Sequence, residues 1–461
     1  MRSSNEPAVS AQSPGRTFGW ASIAWLCAGL LAQPAAAQTT GPPAAPANAA
    51  YVAKQIVDAY GALCRARSGS PVCVTSDTFS PSRPGDLAQL APDKFVMQSV
   101  AGLLSTQQQF QVVRERLSDL HGINLGPLGG STQMLTLAST SAPPAAPAAD
   151  AVSPGAAAPT SGAAAASSQT ASGALPASQF GLYFHVDGAA NRRDPNAFDA
   201  GFRERNVGVS VGGDYKLTDN AIIGATLSAT SNRSTLTTAD AAPNGNSQTR
   251  GAAVSVYGAY FPAPAAYLDA TLNFGRNSYD SVRSIPAVPN DSAQGSTSGR
   301  QYGLSVGAGY SWLSSNWTYG PYAQVSLAHV KIDGFTEAPN TSGTNLAVAE
   351  QSIQSLESVL GAQVSYASSQ SWGIVVPSAR LEWLHQFKDD KTRTLVANFA
   401  AAPTSTIALD TNRPDRNYLK LGVGAAAHFG PGRSAFVNYK AVLGRSGYSG
   451  HAVSAEVRLE F

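Results

Sequence analysis

Apolar and polar side chains alternate with a period of two from residue 180 to the end of the chain. In the last stretch, the apolar face carries Val453, Ala455, Val457, Leu459 and Phe461, and the polar face carries Ser454, Glu456, Arg458 and Glu460. This alternation predicts a β-strand with one face against an apolar medium and the other against water. The edge strand of a soluble sandwich would alternate as well, but the recurrence of the pattern back to residue 180 favours a membrane barrel.

About twelve segments carry the pattern, and each is close to or above the roughly nine to eleven residues that a tilted membrane strand needs. They are residues 180–188, 203–217, 221–233, 249–261, 265–279, 299–313, 317–333, 353–367, 372–387, 416–429, 434–443 and 449–461. No apolar run reaches the roughly 18 residues of a membrane helix. A chain that spans a bilayer with strands must close them into a barrel, because lipid cannot satisfy an open sheet edge.

The connections between these segments are alternately short and long. Tight turns are expected at 218–220, 262–264, 314–316, 368–371 and 430–433, and long polar loops at 234–248, 280–298, 334–352 and 388–415. Bacterial outer-membrane barrels show this asymmetry, with the long loops outside the cell. The predicted fold class is therefore all-β transmembrane, an antiparallel outer-membrane β-barrel of about twelve strands.

The polar members of each strand should line the lumen. The predicted lumen-lining residues are Asp187, Asp214, Lys216, Asp269, Arg380, Glu382, Lys420, Lys440, Glu456, Arg458 and Glu460. Charges of both signs in a narrow space should pair across the lumen. We therefore expect that the lumen is not an open channel. We expect the small residues of 162–177 to fill the remaining space, held by hydrogen bonds to Arg380 and Glu382.

The residues before 180 do not show the period-two alternation. Arg2 and Arg16 precede an apolar segment at 18–31 and the small residues Ala35–Ala37, the layout of a secretory signal peptide over 1–37. Residues 38–142 form a predicted short helical region, with a helical hairpin favoured over a coiled coil. Residues 143–179 form an Ala/Pro/Ser-rich linker that also contains the possible pore segment.

Two cysteines remain once the signal peptide is removed. Cys64 and Cys73 lie nine positions apart in a chain bound for an oxidising compartment, so we predict a disulfide between them. His121 is the only candidate metal ligand nearby, so no metal site is expected.

The composition and motifs argue against other function classes. A net charge of +2 argues against a nucleic-acid partner. The histidines of the barrel are scattered, and the region before the barrel has no Gly-x-Ser-x-Gly or His-Glu-x-x-His motif, so neither an enzyme nor a cofactor is predicted.

Several local motifs together resemble the C-terminal β-domain of classical monomeric autotransporters, the type V secretion family. They are Lys331–Glu337 with Leu356–Ala362, Pro377–Phe387, Asp415–Asn417 with Gly422–Gly424, the pair Asn438–Tyr439, and the terminal segment from Tyr448 to Phe461. Glu456 departs from the glycine that many members have at this place. The resemblance covers residues 180–461.

The resemblance implies a barrel in the outer membrane of a Gram-negative bacterium that exports or displays a short N-terminal passenger. Val457, Leu459 and Phe461 would then form the outer-membrane targeting signal. The implied partners are outer-membrane lipid and lipopolysaccharide, periplasmic chaperones and the barrel assembly machinery, with the protein a monomer. The short region before the barrel is unlike the long passengers of the family, so a porin or adhesin-like barrel with a vestigial passenger is the alternative.

Overall fold

The computed structural model describes residues 47–74, 90–124, 179–194, 201–237, 245–285, 288–388, 394–410, 415–429 and 432–461. The predicted signal peptide 1–37 and the predicted pore segment 162–177 lie outside the described residues. Helix α1 spans Ala47–Ala66, a 3₁₀ helix spans Pro92–Phe95, and helix α2 spans Val96–Asn124. In this part of the chain, no helix combines the length and the hydropathy of a membrane span.

Twelve long strands form the wall of a barrel. They are β1 (Phe180–Arg193), β2 (Gly201–Thr218), β3 (Ala221–Thr237), β4 (Gly245–Ala263), β5 (Ala266–Ser284), β6 (Ser292–Tyr310), β8 (Trp317–Ile332), β11 (Gln351–Tyr366), β13 (Gly373–Gln386), β16 (Asn417–His428), β17 (Arg433–Leu443) and β18 (Tyr448–Glu460). The short strands are β7 (Trp312–Ser314), β9 (Phe335–Thr336), β10 (Leu346–Val348), β12 (Ser368–Gln370), β14 (Thr394–Phe399) and β15 (Thr406–Asp410).

The long strands pair antiparallel with their neighbours along the chain, and the first and last strands close the sheet. The closing register runs from Gly181 opposite Glu460 to Arg193 opposite Tyr448. The predicted twelve-stranded antiparallel barrel is confirmed. Its outer face is apolar and its inner face polar: on β2, Val207 is 61% exposed to the surroundings of the barrel, whereas Asp214 on the inner face is 5% exposed.

A small cap covers the end of the barrel that carries the long loops. Strands β9, β10, β14 and β15 form a separate four-stranded sheet. Its apolar side chains, among them Leu346, Phe399 and Ile407, are buried together with Ile56 and Leu63 of α1. The loops at 334–352 and 388–415, predicted as long and polar, therefore also contain strands and apolar residues that α1 shields from water.

The predicted helical hairpin was wrong. A disulfide joins Cys64, in the last turn of α1, to Cys73 in the turn after the helix, and Tyr60 of α1 donates a hydrogen bond of 2.8 Å to the carbonyl of Val72. Helix α1 packs on β14 and β15, however, whereas α2 enters the barrel. The two helices do not form a hairpin, because α1 packs on the cap and α2 packs against the strands of the barrel wall.

Candidate functional site

The lumen of the barrel is the candidate functional site, because helix α2 occupies it. The helix is buried on all sides although its sequence is largely polar. Gln98, Thr106, Val113 and Arg116 are all completely buried. A helix of this composition is stable in such a place because the barrel wall offers polar partners around it.

Close approaches fix the helix against one side of the wall. At Gly102, an added Cβ would lie 2.7 Å from the hydroxyl of Tyr279 and 2.8 Å from Cγ1 of Val330. The reverse arrangement occurs on the wall, where Gly303 of β6 leaves space for the ring of Phe110 of the helix. Glycine on the helix and glycine on the wall therefore let the two surfaces pack closely.

Three consecutive charged residues of α2 reach three different sectors of the wall. Arg114 lies 3.4 Å from Glu382 on β13, and Nζ of Lys440 on β17 lies 2.5 Å from Glu115. The next residue, Arg116, pairs with Asp214 on β2. Successive helical residues point about 100° apart, so three adjacent positions can contact three separate strands.

Further hydrogen bonds join the helix to the wall. The Oγ of Ser454 donates to Glu115 over 2.7 Å, and Arg380 donates to Ser118, one turn further along the helix, over 3.0 Å. Nearer the cap, Gln108 donates to the carboxylate of Asp187.

The other predicted lumen residues face inward and make mostly local contacts. Glu456 lies 3.2 Å from His185 on the neighbouring strand, Arg458 pairs with Glu460, and Lys216 pairs with Asp219 in the adjacent turn. Lys420 lies over the ring of Tyr418, and Asp269 lies next to Gly307 on the neighbouring strand. The predicted pairing of these charges across the lumen was wrong, because the helix separates opposite sides of the wall.

The sequence pattern did not predict the helix residues of this site, Arg114, Glu115 and Arg116. One feature of the sequence could have indicated them: Arg114, Glu115 and Arg116 are consecutive charges of opposite sign in a helix that has no continuous apolar face.

A cavity of about 140 Å³ remains beside the helix. Polar and charged side chains line it, including Gln108, Gln111, His185, Lys420 and Lys440. The volume corresponds to room for a few water molecules. Among the described residues, no group of three or more potential metal ligands is present.

A further buried ion pair lies where the barrel meets the cap. Arg283 of β5 donates to both carboxylate oxygens of Glu337, over 3.1 and 2.5 Å, and to the carbonyl of Thr344 over 2.7 Å. Lys94 of the 3₁₀ helix is 7% exposed, and burial lowers its pKa to about 8. The carboxylates of Asp93 and Glu337 oppose this shift, and the positive charge of Arg283 contributes to it.

The barrel resembles proteins of known class. The family model of the autotransporter β-domain matches residues 182–440. The translocator domain of the autotransporter NalP from Neisseria meningitidis aligns with a TM-score of 0.50 at 16% identity, over 61% of this chain and 88% of that one. The β-domain of the Bordetella autotransporter BrkA aligns with a TM-score of 0.45 at 16% identity, over 61% of this chain and all of that one.

One curated relative also matches in sequence. An uncharacterized protein of Pseudomonas putida, from the trpE-trpG intergenic region, is 28% identical over 218 residues, which is 46% of this chain. The match covers 34% of that protein, so the chain spans about a third of the length of this relative.

Proposed function

The chain belongs to the autotransporter β-domain family, and from this premise we propose that it exports its own N-terminal region and keeps α2 in the lumen afterwards. The barrel is an outer-membrane transport domain of a Gram-negative bacterium. In the proposal, the exported region comprises the residues between the predicted signal peptide and Val96, and its helix α1 remains at the cell surface as part of the cap.

The direction of the helix supports this proposal. Its start lies next to the cap, where Val96 joins the same apolar cluster as Leu346. Its last described side chain, Leu120, packs with Phe261 and Tyr267 beside a tight turn. The helix therefore runs from the long-loop end of the barrel to the tight-turn end, which in this class faces the periplasm.

The start of β1 completes the path. The carbonyl of Gln179 accepts a hydrogen bond of 2.9 Å from the amide of Lys216, so the chain enters the wall at the same tight-turn end. A chain that passes once through its own barrel in this direction has its N-terminal part on the outer side.

The single observation that carries the proposal is the set of three ion pairs from Arg114, Glu115 and Arg116 to Glu382, Lys440 and Asp214. Removing one partner of a buried ion pair costs on the order of 3–5 kcal/mol, because the other charge is left uncompensated. A segment held by three such pairs is suited to stay in the lumen. A segment that only passes through the lumen during export would not require oppositely charged partners on three strands.

The proposed role of the surface region is display or binding, without catalysis. Its described part is a helix that covers a small sheet, and the sequence carries no catalytic motif there. The proposed partners are outer-membrane lipid and lipopolysaccharide, periplasmic chaperones and the barrel assembly machinery, with the protein a monomer that binds no nucleic acid.

Thiol labelling of intact cells tests the proposed orientation. Lys54 of α1 is exposed, and Asp219 is exposed in the tight turn between β2 and β3. We expect a membrane-impermeant maleimide to label Lys54→Cys in intact cells. The matched variant Asp219→Cys should react only after the outer membrane is permeabilised. Protection of Lys54→Cys in intact cells, with labelling only after permeabilisation, would show that the N-terminal region stays in the periplasm and would overturn the proposal.

A further inference from the structure

The outer wall of the barrel carries a stripe of basic side chains on one half of its circumference. Eight exposed residues on seven adjacent strands, β1 to β6 and β8, form this basic stripe: Arg192, Arg203, Arg205, Arg233, Arg250, Arg276, Arg300 and Lys331. Each has the same strand parity as the exposed apolar residues of its strand, so it points outward and not into the lumen.

The strand register places several of these cations directly opposite one another. Arg205 is opposite Arg233 on β3, and Arg300 is opposite both Arg276 on β5 and Lys331 on β8. Arg192 and Arg203 form a fourth pair of this kind. Like charges at directly opposed positions, about 5 Å apart, repel and destabilise a sheet. Such an arrangement favours the binding of an anion.

The protein itself neutralises only part of the stripe. Arg192 lies 3.0 Å from Asp194, Arg250 lies 3.6 Å from Asp280, and Lys331 lies 2.9 Å from Glu350. Across the residues that the structure describes, the remaining five have no carboxylate within ion-pair distance: Arg203, Arg205, Arg233, Arg276 and Arg300. They form two groups, one on β2 and β3 and the other on β5 and β6.

The stripe lies at the border of the apolar band, on the side of the long loops. On β2, Arg205 is followed on the same face by Val207, and on β5 Arg276 follows Phe274. On β6, Arg300 precedes Tyr302, which packs edge-on against Phe274 with ring centroids 6.1 Å apart. The guanidinium groups therefore lie at the level where the lipid chains end and the headgroups begin, and there a charge costs little.

We propose that the basic stripe binds the phosphate groups of lipopolysaccharide, the phosphorylated glycolipid of the outer leaflet. Guanidinium binds phosphate through two parallel hydrogen bonds, and Arg suits such sites better than Lys. Arginines about 5 Å apart across strands and about 7 Å apart along β2 match a headgroup with several anionic groups. The long-loop side selects the outer leaflet, where this glycolipid and not a phospholipid supplies the phosphates.

The proposal needs only the outer-membrane location of the barrel and not the export of the N-terminal region. Its failure would therefore leave the thiol-labelling result unchanged, and the two proposals are tested independently.

Binding to the purified full-length protein in detergent tests the stripe. The probes are lipopolysaccharide, the same lipopolysaccharide after dephosphorylation, and phosphatidylglycerol. The variant Arg205→Gln/Arg233→Gln/Arg276→Gln/Arg300→Gln removes four guanidinium groups. The control is Arg433→Gln, because Arg433 lies opposite the outward-facing Leu459 at the tight-turn end. If the fourfold variant fails to fold, the pairs Arg205→Gln/Arg233→Gln and Arg276→Gln/Arg300→Gln are measured separately.

We expect lipopolysaccharide to bind the wild-type chain and the Arg433→Gln control alike, and to bind the fourfold variant at least about tenfold more weakly. Without lipopolysaccharide, the variant should unfold at the same or a higher temperature than the wild type, because its cross-strand repulsion is removed. Equal binding to the fourfold variant, or equal binding of the dephosphorylated probe, would overturn the proposal. Equal binding of phosphatidylglycerol would show a general anion surface and would overturn the assignment to lipopolysaccharide.

Discussion

Arg116 of helix α2 donates two hydrogen bonds to the carboxylate of Asp214 on β2, over 2.7 and 2.8 Å. The guanidinium also lies 5.2 Å from the ring centre of Tyr183, and the hydroxyl of Tyr257 donates to the same carboxylate over 3.2 Å. This group of four side chains joins the N-terminal region to the barrel. Because Arg116 is completely buried, its charge depends on the carboxylate of Asp214 for compensation while the helix is in the lumen.

Loss of the Arg116 charge should therefore loosen the helix. We expect Arg116→Met to lower the free energy of unfolding by on the order of 3–5 kcal/mol, because Asp214 then remains buried without its cation. The double variant Arg116→Met/Asp214→Asn should recover most of this loss. Heat-dependent gel mobility and protease cleavage within α2 measure both effects.

Arg114 provides the matched comparison for this experiment. Its ion pair with Glu382 is longer, at 3.4 Å, and its side chain is 18% exposed. Arg114→Met should therefore cost less than Arg116→Met. Equal losses for the two variants, with no recovery in the double variant, would contradict the assignment of Arg116 as the main anchor.

The helix should also determine the conductance of the barrel. Deleting residues 96–124 removes α2 from the lumen, so we expect a several-fold larger single-channel conductance in planar bilayers than for the full chain. Deleting residues 155–177, which include the segment first predicted to fill the pore, should leave the conductance nearly unchanged. A full chain that already conducts like the α2 deletion would favour the porin alternative.

The barrel was predictable because alternate residues of each strand face apolar lipid and the polar lumen. The ends of the strands were harder to predict. β1 continues past residue 188 to Arg193, and β6 begins at Ser292, before the predicted start at residue 299. Beyond the lipid layer both faces of a strand meet water, and the alternation that marks the strand fades.

The identity of the pore helix was not predictable from the same kind of pattern. A helix in a polar lumen needs no apolar face, so the polar residues Gln107 and Arg114 in its sequence did not indicate that it enters the barrel. Small side chains then suggested 162–177 as the filling segment. The helix is specified by pairing with Asp214, Glu382 and Lys440, which are distant in the sequence. Such pairing becomes visible only once the barrel register is known.

The terminal aromatic residue should matter for assembly more than for stability. The ring of Phe461 is 68% exposed in the folded chain, and its amide donates to the carbonyl of Phe180 over 2.9 Å. Phe461→Ala keeps that backbone bond, so we expect purified barrel to lose less than about 1 kcal/mol of unfolding free energy. In cells, the amount of heat-modifiable protein in the outer membrane should fall.

Phe429 is a suitable control, because it is 49% exposed and also lies next to a tight turn. Phe429→Ala should reach the outer membrane at nearly the wild-type level. Equal membrane levels for the two variants would argue against a targeting role for Phe461.

Finally, the cap should become more stable in mild alkali. The ammonium of Lys94 makes no hydrogen bond within the described part of the chain, and burial lowers the pKa of Lys94 from 10.5 to about 8. Above pH 8 the folded cap loses this proton while the unfolded chain keeps it up to about pH 10.4. The unfolded state then binds more protons, so the free energy of unfolding rises with pH. Between pH 7 and 9.5 we expect a gain on the order of 2 kcal/mol in the stability of the cap.

Hydrogen exchange of residues 54–74 over this pH range, corrected for the intrinsic rate, measures the gain. Burial also raises the pKa of Tyr60, so this neighbour of the disulfide stays protonated in the same window. Lys94→Met is the control: without the buried ammonium, the cap should be more stable at pH 7 and should show little change up to pH 9.5. A wild-type cap whose protection stays flat or falls between pH 8 and 9.5 would show that Lys94 keeps its proton, held by Asp93 and Glu337 against the cost of burial.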